Sequence, residues 1–188
     1  MCNEEKFRMY CRLSHEQFYF VLNLIDNDIK PKRKGTSIIS SSEKLFICLR
    51  FLATGESYAS LHYTYRISTS YISRIVKDVL ASLRKNLVPI LLPEPSKNLL
   101  KFVTKEFWSR WNFPNCFGAI DGKHVRIKAP NNSGSLFFNY KDYYSLVLLA
   151  VIDANYKFIA VDVGSYGKEG DSGIFQKSCI GKKMPQIN

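Results

Sequence analysis

With 188 residues, 46% hydrophobic and 14% aromatic, the chain has enough apolar surface for one substantial core or two small ones, which excludes a mostly disordered protein. A formal charge of +11 and a pI near 9.4 favour a polyanionic partner, nucleic acid foremost. The start MCNEEKFRMYCRLS has no signal-peptide core and no apolar run approaches the ~18 residues of a membrane span, so a soluble protein with no membrane association is expected.

The basic excess is uneven: residues 1–114 hold 18 Lys and Arg against 10 Asp and Glu, and residues 115–188 hold 9 against 6. Five cysteines (Cys2, Cys11, Cys48, Cys116, Cys179) are odd in number and lack a C-x-x-C pair, which argues against a disulfide framework and a zinc knuckle and for reduced thiols inside the cell.

In chain order, LSHEQFYFVLNLI (residues 13–25) predicts an amphipathic helix: Ser14 and Gln17 have capping-box spacing, and Phe18, Val21, Leu22 and Ile25 share a face. The tract KPKRKG (residues 30–35) has two readings, a nuclear-import or phosphate-contacting patch and a solvated basic loop. SSSEKLFICLRFLATG predicts a second helix, with serines before it and Gly55 stopping it. Two more helices, at about 57–64 and 69–86, are separated by a turn around residues 66–68 and read as helix-turn-helix over roughly residues 44–86. In the second, Ile72, Ile75, Val76, Val79, Leu80 and Leu83 form an apolar stripe, leaving Ser70, Tyr71, Arg74 and Lys77 to reach a groove or its phosphates. A plain helical bundle with a polar outer face fits the same pattern.

Three prolines in VPILLPEPSKN mark a connector, and KNLLKFVTKEFWSRWNFP predicts a helix stopped at Pro114, its aromatic stripe read as core rather than as a stacking platform. From Cys116 the period changes. CFGAID, HVRIKAP, YSLVLLAVID and YKFIAVDVG read as three or four strands of a meander, with turns at Asp121-Gly122, residues 130–134 and residues 153–155, and with the apolar SLVLLAVI at the sheet centre. DSGIFQKS predicts a helix with Asp171 or Ser172 as N-cap. The fold class expected is α+β, helices first and a β-rich part after.

Asp121 and Asp171 have two readings, turn and cap residues or oxygen ligands for Mg²⁺ or Mn²⁺, the hard cations that phosphodiester chemistry uses. His124 likewise reads either as a packing residue or as a group that orients a phosphate, and Lys123 and Lys128 as phosphate-positioning candidates.

The strings GAIDGKHVRIKAP, FNYKDYYSLVLLAVIDANYKFIAVDVG and GKEGDSGIF, in that order, resemble the DDE superfamily endonuclease domain of PIF/Harbinger transposases and the nucleases derived from them; FLATGESY, ISTSYISRIV and FPNCFGAIDG are similar to the segment preceding it. The organisation expected is a helical, DNA-binding region over residues 1–88 and a linker and helix over 89–114, followed over 115–188 by what the resemblance implies, the first strands of an RNase H-like nuclease fold. It also implies Asp121 as first catalytic acid and metal ligand, Asp171 as a further metal ligand, and a Mg²⁺ or Mn²⁺ cofactor. Lys123 and Lys141, with Ser70, Arg74 and Lys77, are the nucleic-acid contacts expected. In FFNYKDYYS, Lys141, Tyr143, Tyr144 and Ser145 match, whereas Tyr140 replaces a commonly basic residue and Asp142 a common glycine. The remaining acids of such a site would fall after Asn188.

The function expected is a divalent-metal-dependent DNA endonuclease of transposase descent. The alternative is a catalytically inert DNA-binding or adaptor protein of the same descent. DNA, a separate DNA-binding protein as partner, and a nuclear location, with the cytoplasm as the alternative, go with both.

Overall fold

The computed structural model describes residues 4–31, 39–178 and 181–182 and divides into two compact units, Met1–Leu91 and Leu92–Asn188. Most of the KPKRKG tract, and Cys2 and Cys179, lie outside the described residues.

The first unit is helical: α1 (Glu4–Cys11), α2 (His15–Ile29), α3 (Ser41–Thr54), α4 (Tyr58–Tyr65), α5 (Thr69–Asn86) and α6 (Val88–Leu91). Local chemistry sets the boundaries. Ser14 accepts from the Gln17 N–H while the Gln17 side chain takes the Ser14 N–H, and Ser40 and Glu43 repeat that capping box on α3. Gly55 ends α3 at φ +68, where a side chain would be strained, and Arg66 ends α4 in the same left-handed region. Ile25, Leu45, Ile47, Leu61, Ile72, Ile75, Val76 and Val79 interlock as one core. Leu80 departs from the predicted stripe: it is 38% exposed, because the 100° helical step carries it past the edge of the face buried by Val76 and Val79. Across the bundle Asp28 of α2 accepts from Ser82 Oγ (2.9 Å), Lys85 Nζ (3.0 Å) and Asn86 Nδ2 (2.7 Å) of α5.

The second unit is α+β. Helix α7 (Lys97–Trp111) precedes an antiparallel sheet in the order β1-β2-β3, with β1 Ala119–Arg126, β2 Ser145–Ile152 and β3 Phe158–Tyr166, and α8 (Asp171–Lys177) follows. The apolar run is the central strand, as its composition predicts. One face of β2 is buried: Val151 packs with Val103 and Phe107 of α7, and Val147 and Leu149 pack with Ile174 of α8. The other face, with Leu146, Leu148, Ala150 and Ile152, is half-buried.

Three boundaries and the burial of one side chain differ from the sequence reading. Asp121-Gly122 is not a turn: β1 runs straight through it, pairing Asp121 with Ala150 and Gly122 with Leu149, so CFGAID and HVRIKAP contribute one strand. Pairing with β2 overrides the local turn preference of Asp-Gly. Helix α7 ends at Trp111 rather than at Pro114, because Asn112 adopts the left-handed conformation that asparagine tolerates. Trp111 itself is 54% exposed, although its indole N–H donates to the Ala154 carbonyl. The N-cap of α8 is Gly170, which puts Asp171 in the first turn rather than at the cap.

Candidate active site

Asp121 lies in β1 and Asp171 opens α8, fifty positions later, and the fold brings them to one place. A Cβ on Gly122 would lie 2.5 Å from Asp171 Cγ, so the Asp171 carboxylate packs directly on the glycine that follows Asp121. Only the missing side chain at 122 permits this approach. Asp121 Oδ1 accepts from the Gly122 N–H (2.9 Å), which fixes its side chain against the strand. Both carboxylates are exposed and line an open cleft of about 540 Å³. Asp171, in the first turn of α8, also sits where the helix dipole favours negative charge.

The rest of the cleft is mainly basic and aromatic. Lys123 and His124 come from β1, Tyr140, Lys141 and Tyr143 from the loop between β1 and β2, and Lys168 and Glu169 from the turn before α8. The Glu169 carboxylate is engaged by Lys177 Nζ at 2.6 Å. Arg126 stacks its guanidinium over the Tyr143 ring at 4.4 Å, and Lys141 Nζ lies 5.3 Å from the centre of the Tyr140 ring. Asp121, Asp171, Lys123 and Lys141 are thus brought together, with His124 beside them. Lys128 is exposed and does not line the cleft. Ser70, Arg74 and Lys77 belong to the other compact unit, exposed on α5 with the i, i+4, i+7 spacing of a single helix face.

Sequence reasoning missed what holds the loop. Asn139 is buried at 3% exposure: its Oδ1 accepts from the Lys141 N–H (2.8 Å), and its Nδ2 donates to Ser145 Oγ (2.9 Å), itself fully buried. Ser145 Oγ also lies 2.9 Å from His124 Nδ1. Gly167 closes the arrangement, since a Cβ there would stand 2.5 Å from Ser145 Oγ. An asparagine whose oxygen takes the N–H two residues on is a turn signal readable in Asn139-Tyr140-Lys141, but its second bond is not.

For a divalent cation the donors fit: two carboxylates in a solvent-open cleft suit Mg²⁺, which keeps several waters and is commonly bound by one or two carboxylates together with substrate phosphates. Among the described residues no group of three or more His, Cys, Asp or Glu converges on a common point. The thiols are no substitute: Cys48 and Cys116 are free, and burial pushes the Cys48 thiol up to about 12.

Residues 120–187, which contain both aspartates, match the family described as DDE superfamily endonuclease. Over this stretch the chain is similar to that family. The likeness to relatives of that kind extends into the helical unit. The protein named ALP1-like of Arabidopsis thaliana is 26% identical over 92% of the chain and 43% of its own length. HARBI1 of Rattus norvegicus, named as a candidate nuclease, is 24% identical over 88% of the chain and 48% of its own length. The Arabidopsis thaliana protein named antagonist of like heterochromatin protein 1 is 24% identical over 84% of the chain. The chain therefore spans about half the length of the curated relatives it matches. No solved structure matches significantly. No helix among the described residues is long and apolar enough to cross a membrane.

Proposed function

We propose that the chain carries part of the active site of a divalent-metal-dependent DNA endonuclease of transposase descent, with Asp121 and Asp171 as metal ligands and Asp121 as catalytic acid of the set. The observation that carries this reading is that Asp121 and Asp171, fifty positions apart, line one open cleft edged by lysines. Bound there, Mg²⁺ or Mn²⁺ would polarise a phosphoryl oxygen and lower the pKa of an attacking water. Asp121 and Asp171 would hold that charge in place. Lys123 and Lys141, joined by Lys168, position phosphates along the cleft without reading sequence. In the helical unit, which we read as the DNA-binding part, Ser70, Arg74 and Lys77 on α5 contact the DNA backbone. DNA is the substrate, a separate DNA-binding protein a candidate partner, and the nucleus the expected location.

The test is nicking of supercoiled plasmid by the protein in its natural length, with Mg²⁺ or Mn²⁺ and with chelator. Metal-dependent nicking that is lost in Asp121→Ala supports the assignment; nicking unchanged by that substitution refutes it. One observation favours a second reading, a catalytically inert DNA-binding adaptor: no group of three or more His, Cys, Asp or Glu able to hold a metal ion is found among the described residues. That reading requires DNA retention with no metal-dependent cleavage under any of these conditions.

A further inference from the structure

The polar groups behind the cleft fix which nitrogen of His124 carries a proton. The backbone N–H of Lys141, 2.8 Å from Asn139 Oδ1, can only donate, and so can that of Tyr143. Asn139 must therefore present its oxygen to the backbone and its NH₂ to Ser145, which settles the orientation of the amide by hydrogen bonding. Ser145 Oγ, buried and already accepting from Asn139, has one proton to place, and His124 Nδ1 at 2.9 Å is the acceptor in reach. An imidazole that accepts at Nδ1 carries its hydrogen on Nε2.

The surroundings lock the ring as well as the tautomer. Tyr140 meets the His124 ring edge to face, with centroids 5.5 Å apart, and Ser145 cannot shift because Gly167 packs on its Oγ and carbonyl oxygen. Nε2 makes no hydrogen bond with any described residue, and His124 lines the same cleft as Asp121, Lys123 and Lys141.

We propose that His124 is a phosphate-contacting residue: its Nε2–H is a fixed donor to a non-bridging oxygen of a phosphodiester in the cleft, with Ser145 and Asn139 as the positioning residues that enforce this tautomer. Lysines alone would attract a phosphate as mobile point charges, whereas a ring clamped at Nδ1 and by Tyr140 gives one oxygen a defined direction. The proposal extends the nuclease reading of this cleft, but it concerns binding and is testable without metal.

The experiment uses the chain labelled with ¹⁵N at histidine, at a pH where the ring is neutral, in buffer containing EDTA. In the wild-type spectrum His124 shows the Nε2–H tautomer, and Ser145→Ala, which removes the donor to Nδ1, yields a mixture of tautomers. Addition of the dinucleotide dTpdT shifts the Nε2 resonance. A hydrogen bond to a charged group corresponds to about tenfold in affinity, so His124→Ala binds dTpdT about tenfold more weakly and His124→Gln, which keeps an N–H donor, recovers part of the loss. An Nδ1–H tautomer in the wild type overturns the proposal, a measurement that needs no variant to fold. So does a dTpdT affinity that is the same in His124→Ala as in the wild type. Absence of Mg²⁺-dependent cleavage would instead count against the nuclease reading alone, leaving the tautomer and the metal-free binding as they were.

Discussion

The approach of Asp171 to strand β1 is set by a residue that bears no functional group. Because a Cβ at 122 would overlap the Asp171 carboxylate, Gly122→Ala should displace Asp171 and weaken Mn²⁺ binding, measured by calorimetry, by as much as Asp171→Asn does, although both carboxylates remain. Gly167→Ala should act behind the cleft: a methyl forced against Ser145 Oγ and the Phe137 carbonyl costs about 1–3 kcal/mol of stability, measured by urea unfolding, and disorders the Asn139 loop. At this scale the sequence was only partly legible. Asp-Gly reads as a turn in isolation, and what turns it into a strand is its pairing with Leu149 and Ala150, which no local pattern encodes. The Asn139–Ser145–His124 chain was illegible for a similar reason. Its links span 6 and 21 positions, and hydrogen bonds of that kind leave neither a helical nor a strand period in the sequence.

Individual helices were easier to read, because their limits depend on residues a turn apart. Ser14 with Gln17 and the left-handed Gly55 are local signals, and the structure uses both as read. What joins the helices is not local. Asp28 meets Ser82, Lys85 and Asn86 across more than fifty positions, and the hydrogen bonds from Asn86, then Lys85, then Ser82 hold its carboxyl down at about 2. A folded-state value below the unfolded one means that this clamp stabilises the bundle above the ordinary carboxylate range and is lost as pH falls from about 4 towards 2. Urea midpoints measured at pH 5, 3 and 2 should therefore fall less steeply in Asp28→Asn, which is already weaker at pH 5.

Across the whole molecule, the two compact units divide the expected labour: the exposed, basic α5 face in one and the carboxylate cleft in the other. If Arg74 and Lys77 each neutralise a DNA phosphate, the slope of log affinity against log salt should flatten by about one for each alanine substitution, equally for any DNA sequence. An unchanged slope would make α5 a packing helix only. The change from helical to strand period after Pro114 was visible in the sequence, and so was the central place of SLVLLAVI; the fit of α8 over Val147 and Leu149 was not, since it depends on tertiary packing. Strand β1 lies at an edge of that sheet, with Ile120 and Val125 exposed. An open strand edge invites a second strand from another molecule, and charged side chains such as Asp121, Lys123 and Arg126 discourage it. Among the described residues Asp121 thus also puts a charge on that strand, so for a variant made to silence chemistry at 121 the monodispersity belongs beside the activity.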